Sequence, residues 1–327
     1  MPKSKIVETK PKYKLSIIIP HYKEPDAVVD LALSSIKIQA GVDFSKIQIV
    51  IVNDHSDVEL RHYKNVKYLR RPTNGGCGMA RQYGIDHTNS EYFMFLDADD
   101  VLFSATSLFY LFEAMKEEPD IIFGNFMEQL SDNSLVPHVF HNTWCHGKVY
   151  KRSYIKSTGI KFEPNILLSE DACFNIQVLN RTTNIFKLSE NIILWKSNPL
   201  SLTRTGGGAS SRKNASYFLE GQFIATRNLR DVEICPELVV NNCVYMYLTM
   251  QSQFWKGDLE LKKQVEKRII EYRKEFEDLY INIQDTHFNK IFNSRFIEHS
   301  KDVYWKPIET YDQFYERIEK ENYVNIK

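Results

Sequence analysis

The sequence predicts an α/β fold, with a mostly parallel central sheet, helices on both faces and a helical region appended at the C-terminus. Three observations carry this. Strand-like and helix-like patterns alternate from residue 15 to residue 126, as a parallel sheet built from crossover units requires. Three of those strands end in polar or acidic clusters. From Asn214 onward only helical periodicity is present.

The elements follow in order. Leu15-Ser16-Ile17-Ile18-Ile19-Pro20 is a short β-branched run stopped by proline, a buried strand. His21 to Pro25 is the turn after it. Asp26 opens a helix whose Val29, Ala32, Leu33, Ile36 and Ala40 keep helical spacing, and Gly41 ends it. Ile47 to Val52 is a second strand, ending in Asn53-Asp54-His55-Ser56, and Val66 to Leu69 is a third. Arg71 to Gly78 is a glycine-rich loop that leads into a helix through Ile85. Tyr92 to Leu96 is a buried strand that runs straight into Asp97-Ala98-Asp99-Asp100. A helix covers about Ser104 to Glu118, and Ile121 to Phe126 is another strand. Ser131 to His146 is a polar, histidine-containing excursion, and Gly147 to Arg152 is strand-like. Ile166 to Phe174 leads into a helix through Leu179, Asn191 to Trp195 is strand-like, and Asn198 to Ser211 is a loop by composition.

The composition narrows the function classes. At 327 residues the chain has room for two domains, placed at 1–211 and 212–327. Lysine plus arginine equals aspartate plus glutamate at 42 each, so there is no general pull toward nucleic acid or anionic membrane. Five cysteines without a CxxC pair fit reduced thiols better than a disulfide framework or a zinc site. Met1 to Lys14 is polar and lysine-rich, and no apolar run reaches membrane-spanning length. The expectation is a cytoplasmic protein, with work at the inner membrane surface left open.

The acidic stretch has two readings on its own residues. Asp97 and Asp99 are two apart, so on an extended backbone they point the same way. Two such carboxylates suit a divalent cation with an oxygen shell, Mg²⁺ or Mn²⁺. Alternatively, Asp99 or Asp100 caps a following helix. His21 to Glu24 and Asn53 to Ser56 fall at strand ends as well, and in parallel sheets ligands bind outside the carboxyl ends of the strands. That favours the functional reading.

Together these landmarks resemble the GT-A family 2 glycosyltransferases over roughly residues 14 to 205. Pro20-His21-Tyr22-Lys23-Glu24 is similar to the family's P-x-Y-N-x-E turn, and Asn53-Asp54-His55-Ser56 to its D-D-x-S turn. Asn74-Gly75-Gly76-Cys77-Gly78-Met79-Ala80-Arg81-Gln82-Tyr83-Gly84 resembles N-x-G-x-x-x-A-R-N-x-G. Asp97-Ala98-Asp99 is the D-x-D, Gly147, Lys148, Tyr150 and Arg152 form the G-K-x-Y-x-R block, and Glu170-Asp171 is the E-D pair. Asn53, Lys23 and Gln82 depart from the pattern; Asn53 keeps hydrogen bonding but brings no charge.

The resemblance implies a Rossmann-like GT-A fold and an inverting, metal-dependent transfer from a UDP-sugar, with UDP-GlcNAc, UDP-glucose and UDP-galactose all compatible. It implies that Asp54 accepts from the uracil N3–H and that Pro20 and Tyr22 border the base. Glu24, Asn74, Gly76 and Ala98 belong to the nucleotide-sugar site. Arg81, at the start of a helix, would meet the uridine or its phosphates. Asp97 would meet the ribose or a metal-bound water, and Asp99 the Mn²⁺ or Mg²⁺. Asp171 is the implied general base, with helix N-cap as its bland alternative. Glu170 orients Asp171 or meets the acceptor. His138, His141 and His146 share one loop, but with no carboxylate or cysteine at ligand spacing a structural zinc is not expected there; His146 lines the donor-sugar pocket or has an acceptor or orienting role. Arg204 closes a lid hinged at Gly206 to Gly208, or is an ordinary surface arginine. Cys173 reads as helix core and not as a nucleophile.

The implied acceptor is a glycan or polymer such as a cell-wall, capsular or teichoic-acid chain. Modified DNA bases as acceptor, or a non-catalytic sugar-binding protein, are the alternatives. In the C-terminal region Val240, Val244, Leu248, Gln251 and Phe254 trace one helical face with a single polar interruption, and Val265, Ile269, Tyr272, Phe276 and Leu279 a short heptad-like seam. Packing within its own domain is the first reading of that seam, and homo-oligomer formation through these helices the second.

Overall fold

The computed structural model describes residues 11–198, 207–251, 255, 258–281, 290, 293 and 309–323. Two compact units separate: Met1–Leu167 with Thr182–Asn198, and Leu168–Arg181 with Pro199–Lys327.

The first unit is built on one nine-stranded sheet. In chain order it runs β1 Tyr13–His21, α1 Asp26–Lys37, β2 Ile47–Asn53, β3 Val66–Arg70, α2 Gly76–Asp86, β4 Ser90–Phe95, β5 Val101–Leu102, α3 Ser107–Ala114, β6 Ile121–Gln129, β7 Leu135–His138, β8 Lys148–Lys151, α4 Arg152–Thr158 and β9 Ile185–Trp195. The strand order is β3-β2-β1-β4-β8-β6-β9-β5, and β7 pairs with β6. β3, β2, β1 and β4 are mutually parallel, as the alternation of elements predicts. β8 then runs antiparallel to both β4 and β6, and β9 is parallel to β6. The sheet is therefore mixed, yet β1, β2, β4, β6 and β9 all point the same way. Their carboxyl ends share one edge.

Both faces are covered. Leu15, Ile17 and Ile19 of β1 join Val29, Leu33 and Ile36 of α1 and Leu108 and Leu111 of α3 in one core. On the opposite face α2 lies so close that a Cβ on Gly84 would fall 2.4 Å from Cγ2 of Ile18. That spacing explains the glycine in mid-helix, where it is otherwise unfavourable.

Several boundaries differ from the sequence reading. α1 stops at Lys37, short of Gly41, because the Gln39 side chain takes over the connection: it donates to the carbonyls of Ser35 (3.0 Å) and Ser104 (2.6 Å) and accepts from the Leu108 amide at 2.9 Å. α3 is shorter than the apolar pattern, with a 3-10 turn at Met115–Glu117. The polar excursion contains β7, and β9 starts six residues before Asn191.

The second unit contains α5 Glu170–Leu179, α6 Gly207–Asn228, α7 Cys235–Met250, α8 Leu259–Glu275, α9 Glu277–Ile281 and α10 Tyr311–Tyr323. The faces formed by Val240, Val244 and Leu248 and by Val265, Ile269, Tyr272 and Phe276 are buried in the core of this unit; Gln251 lies just past the end of α7, and Phe254 lies outside the described residues. α5 packs on α6, where a Cβ at Gly221 would lie 3.1 Å from Cβ of Cys173. Cys173 is thus core, as its position among apolar residues suggests.

Candidate active site

The site starts where β1 and β2 end together. The Asp54 amide donates to the His21 carbonyl at 2.8 Å, extending the ladder one residue past the strands. This drops the Asp54 side chain into the glycine loop, where it is 3% exposed. Its carboxylate accepts from the Arg71 guanidinium and from the amides of Gly75 (3.1 Å) and Gly76 (2.7 Å). Asn74 closes the turn by donating to the Asp54 carbonyl at 3.1 Å. A Cβ on Gly75 would sit 2.5 Å from an Arg71 nitrogen, and Gly76 has φ +82°. Both glycines are therefore dictated by the turn that Asp54 holds. The sequence reading missed Arg71. A buried aspartate requires a cationic or donor partner, but nothing local marks which arginine supplies it.

Pro20 lies inside β1, paired opposite Val52. Tyr22 is exposed just beyond the strand. Its amide donates to the Glu24 carboxylate at 2.8 Å, so Glu24 closes this turn.

Arg81 is the sixth residue of α2, not at its start as the motif suggests. Its buried guanidinium donates to Asp97 at 2.8 Å and lies 5.7 Å over the Phe95 ring. Burial alone would raise the Asp97 pKa, but the charges of Arg81 and His146 and the Arg81 hydrogen bond outweigh it and hold the carboxyl below its ordinary value.

Asp97 to Asp100 is a turn, not a strand extension: the Asp100 amide donates to the Asp97 carbonyl at 3.0 Å. Ala98 is buried within it. α3 begins only at Ser107, after Thr106, so neither Asp99 nor Asp100 caps a helix. Asp100 is 1% exposed. It accepts from the Lys196 amide at 2.9 Å and meets Nε2 of His146 at 2.9 Å. Burial, with the added charges of Asp97 and Asp99, pushes its pKa to about 6 against the opposing pull of His146. Asp99 turns elsewhere and accepts from the Asn198 side chain at 2.7 Å.

One ligand atom from each of Asp97, Asp100 and His146 lies within 4.8 Å of the others. Two carboxylates and an imidazole are a suitable donor set for Mn²⁺, and for Mg²⁺ through the carboxylates. Asp99, the metal residue expected from the D-x-D, lies outside this set. Asn198 was not singled out from sequence, Asp100 was read there only as a possible helix cap, and His146 only as a donor-sugar or acceptor residue.

Glu170 and Asp171 open α5 in the second unit; Glu170 is buried and Asp171 half-buried. The cap position belongs to Ser169, with φ +58°, so Asp171 is not an N-cap. Ser169 is tied to Asn214 by a 2.6 Å hydrogen bond. Two carboxylates in a first turn are favoured by the helix dipole. Arg204 and Gly206 lie outside the described residues, and Gly207 and Gly208 open α6.

Comparison with known proteins agrees with this architecture. Residues 16–175 match the model of Glycosyl transferase family 2. The chain is 26% identical over 220 residues to the uncharacterized glycosyltransferase EpsJ of Bacillus subtilis, covering 58% of this chain and 62% of that protein. It is 24% identical over 274 residues to the minor teichoic acid biosynthesis protein GgaB of B. subtilis, covering 75% of this chain and 29% of that protein. The match thus spans less than two thirds of either relative. The fold superposes on S. aureus TarS 1-349 in complex with UDP-GlcNAc with a TM-score of 0.67 at 15% identity, covering 95% of this chain and 92% of that one. No helix among the described residues is long and apolar enough to cross a membrane.

Proposed function

The chain belongs to the GT-A glycosyltransferases of family 2, and from that premise we propose that it moves a sugar from a UDP-sugar to a hydroxyl of a cell-wall polymer of teichoic-acid type, with inversion at the anomeric carbon. The observation that carries this reading is the convergence of the Asp54-held glycine turn, the Arg81–Asp97 pair and the Asp97–Asp100 turn on one edge of the sheet. A uridine donor is supported by the UDP-GlcNAc held in TarS 1-349. The polymer acceptor is supported by the kinship with GgaB.

In this reading Tyr22 and Pro20 border the base. Asp54 shapes the nucleotide pocket through the Gly75–Gly76 turn, since its buried carboxylate is already engaged by Arg71 and two amides. Arg81 fixes Asp97 and adds positive charge where a diphosphate would lie. Asp97, Asp100 and His146 would hold a divalent cation, with Asp99 beside them. Such a cation, when bound, offsets the charge that grows on the departing UDP. Asp171 takes the proton from the acceptor hydroxyl as that oxygen attacks the anomeric carbon, and Glu170 orients it. A single base and in-line displacement give inversion.

The test uses the full chain with Mn²⁺ and a panel of UDP-GlcNAc, UDP-glucose and UDP-galactose, with and without a poly(polyol phosphate) acceptor, and measures UDP released. Acceptor-dependent release with one donor is expected. No release with any donor, together with no UDP binding by calorimetry, refutes the proposal. Asp171→Asn should keep UDP binding and lose transfer; full activity would remove Asp171 as the base.

A further inference from the structure

We propose that Lys148 is a positioning residue for the carboxylate cluster: from a fully buried site it fixes the loop that aims His146 at Asp100. The inference rests on the glycosyltransferase reading above for its kinetic consequence only.

Lys148 opens β8 and is 0% exposed. Its ammonium donates to the carbonyl of His141 at 2.6 Å and to that of Trp144, and lies 4.5 Å from the centre of the Phe123 ring. Burying an ammonium is costly unless its protons are matched. A methionine would fill a similar volume without that cost. What methionine cannot do is give hydrogen bonds to two inward-facing loop carbonyls. The lysine is therefore explained by the loop it holds.

The same loop is fixed again at its exit. Gly147 has φ +72°, and a Cβ there would lie 2.6 Å from the Gly124 carbonyl oxygen. The Gly124 amide donates to the Gly147 carbonyl at 2.9 Å. Between these two anchors, Trp144 and Gly147, sits His146. Its ring meets Asp100 and is flanked by Phe126 at 5.1 Å and Trp195 at 5.5 Å. Asp100 in turn holds the Lys196 amide and, through its own amide, the Asp97 carbonyl. A shift at Lys148 is thus passed along the loop backbone to His146, and from there to the turn that carries Asp97 and Asp99.

The test is a double-mutant cycle in the full chain with Lys148→Met, His146→Gln and the double variant. Mn²⁺-dependent kcat/KM for UDP-sugar should fall about 10- to 100-fold in Lys148→Met, the range seen when the support of a metal-site residue is lost, and at least as far in His146→Gln, which removes the supported residue itself. The double variant should be no worse than the poorer single one, because both act through one contact. Losses that multiply, or wild-type turnover in Lys148→Met, overturn the inference. If Lys148→Met does not fold, Lys148→Arg takes its place in the cycle, and absence of coupling overturns it equally. A second readout needs no turnover: the ring resonances of His146, followed by NMR of histidine-labelled protein, should move in Lys148→Met. Unmoved resonances overturn the inference even when the functional reading holds, and moved resonances sustain it even when no UDP-sugar is turned over.

Discussion

Gly84→Ala is a sharp test of how the fold sets the site. The added Cβ would meet Ile18 Cγ2 at 2.4 Å and Val52 Cγ2 at 3.3 Å, the first about 1 Å inside the 3.4 Å at which ordinary contact begins. Ile18 is fully buried in β1, which is paired on both sides, so it cannot give way. α2 must lift from the sheet instead. Alanine gains about 1 kcal/mol of helix propensity over glycine. Overpacking of this kind costs about 1–3 kcal/mol. The net loss of stability is therefore small, roughly 0–2 kcal/mol. The functional loss should be larger, because Arg81 lies one turn earlier on the same helix and its 2.8 Å bond to Asp97 moves with it. A misplacement of about 1 Å at such a group lowers activity by about 100-fold. Scanning calorimetry and UDP-sugar turnover together decide this: a melting point within a few degrees of wild type, with kcat/KM down about 100-fold. Adding Ile18→Ala removes the clashing methyl, so its own penalty should shrink in the Gly84→Ala background. A Gly84→Ala variant as active as wild type, or strictly additive penalties with Ile18→Ala, would refute the packing argument.

Three further outcomes follow from the same geometry. Asp54→Asn removes the charge that holds Arg71 and the Gly75–Gly76 turn, and should weaken UDP and CDP binding by the same factor, about tenfold or more for a charge-assisted set; calorimetry showing a switch of preference toward CDP would mean that Asp54 reads the base directly. His141 has its pKa lowered to about 4 by burial first, then by the nearby Lys148, His138 and His146. Its unfolded value is near 6.5, so below that pH the unfolded chain takes up a proton that the folded chain refuses, and stability is lost as pH falls from about 6.5 to about 4. About 2 kcal/mol should be gone by pH 5, and His141→Phe, which keeps the ring stacked on Trp144, should flatten that part of a urea-denaturation series; equal slopes in both proteins would count against it. Arg71→Met should leave three donors' worth of geometry one short and lower the melting point, whereas a neutral effect would show that the two amides alone hold Asp54.

What could be read from the sequence was whatever is local. The strands β1, β2 and β4 are short β-branched or aromatic runs, and the helices between them keep helical spacing, so the parallel half of the sheet was legible. The insertion of β8 between β4 and β6 was not, because antiparallel pairing of Phe93 with Tyr150 joins residues 57 positions apart and leaves no periodic trace in either. Arg71 escaped for the same reason: it meets Asp54 across 17 positions.

The acidic stretch shows most clearly where a local rule stops applying. Alternation along an extended chain places Asp97 and Asp99 on one side. The strand, however, ends at Phe95, and the Asp100 amide folds back onto the Asp97 carbonyl. In a turn closed from residue i to residue i+3 it is the first and last side chains that come together, not the first and third. Asp97 therefore shares its space with Asp100, and Asp99 swings out to Asn198. The change of period from two to three, over four residues, moves the candidate cation set from the D-x-D pair to Asp97, Asp100 and the distant His146. It also explains why Asp100 is the most deeply buried of the three carboxylates while Asp97 and Asp99 stay partly open to solvent.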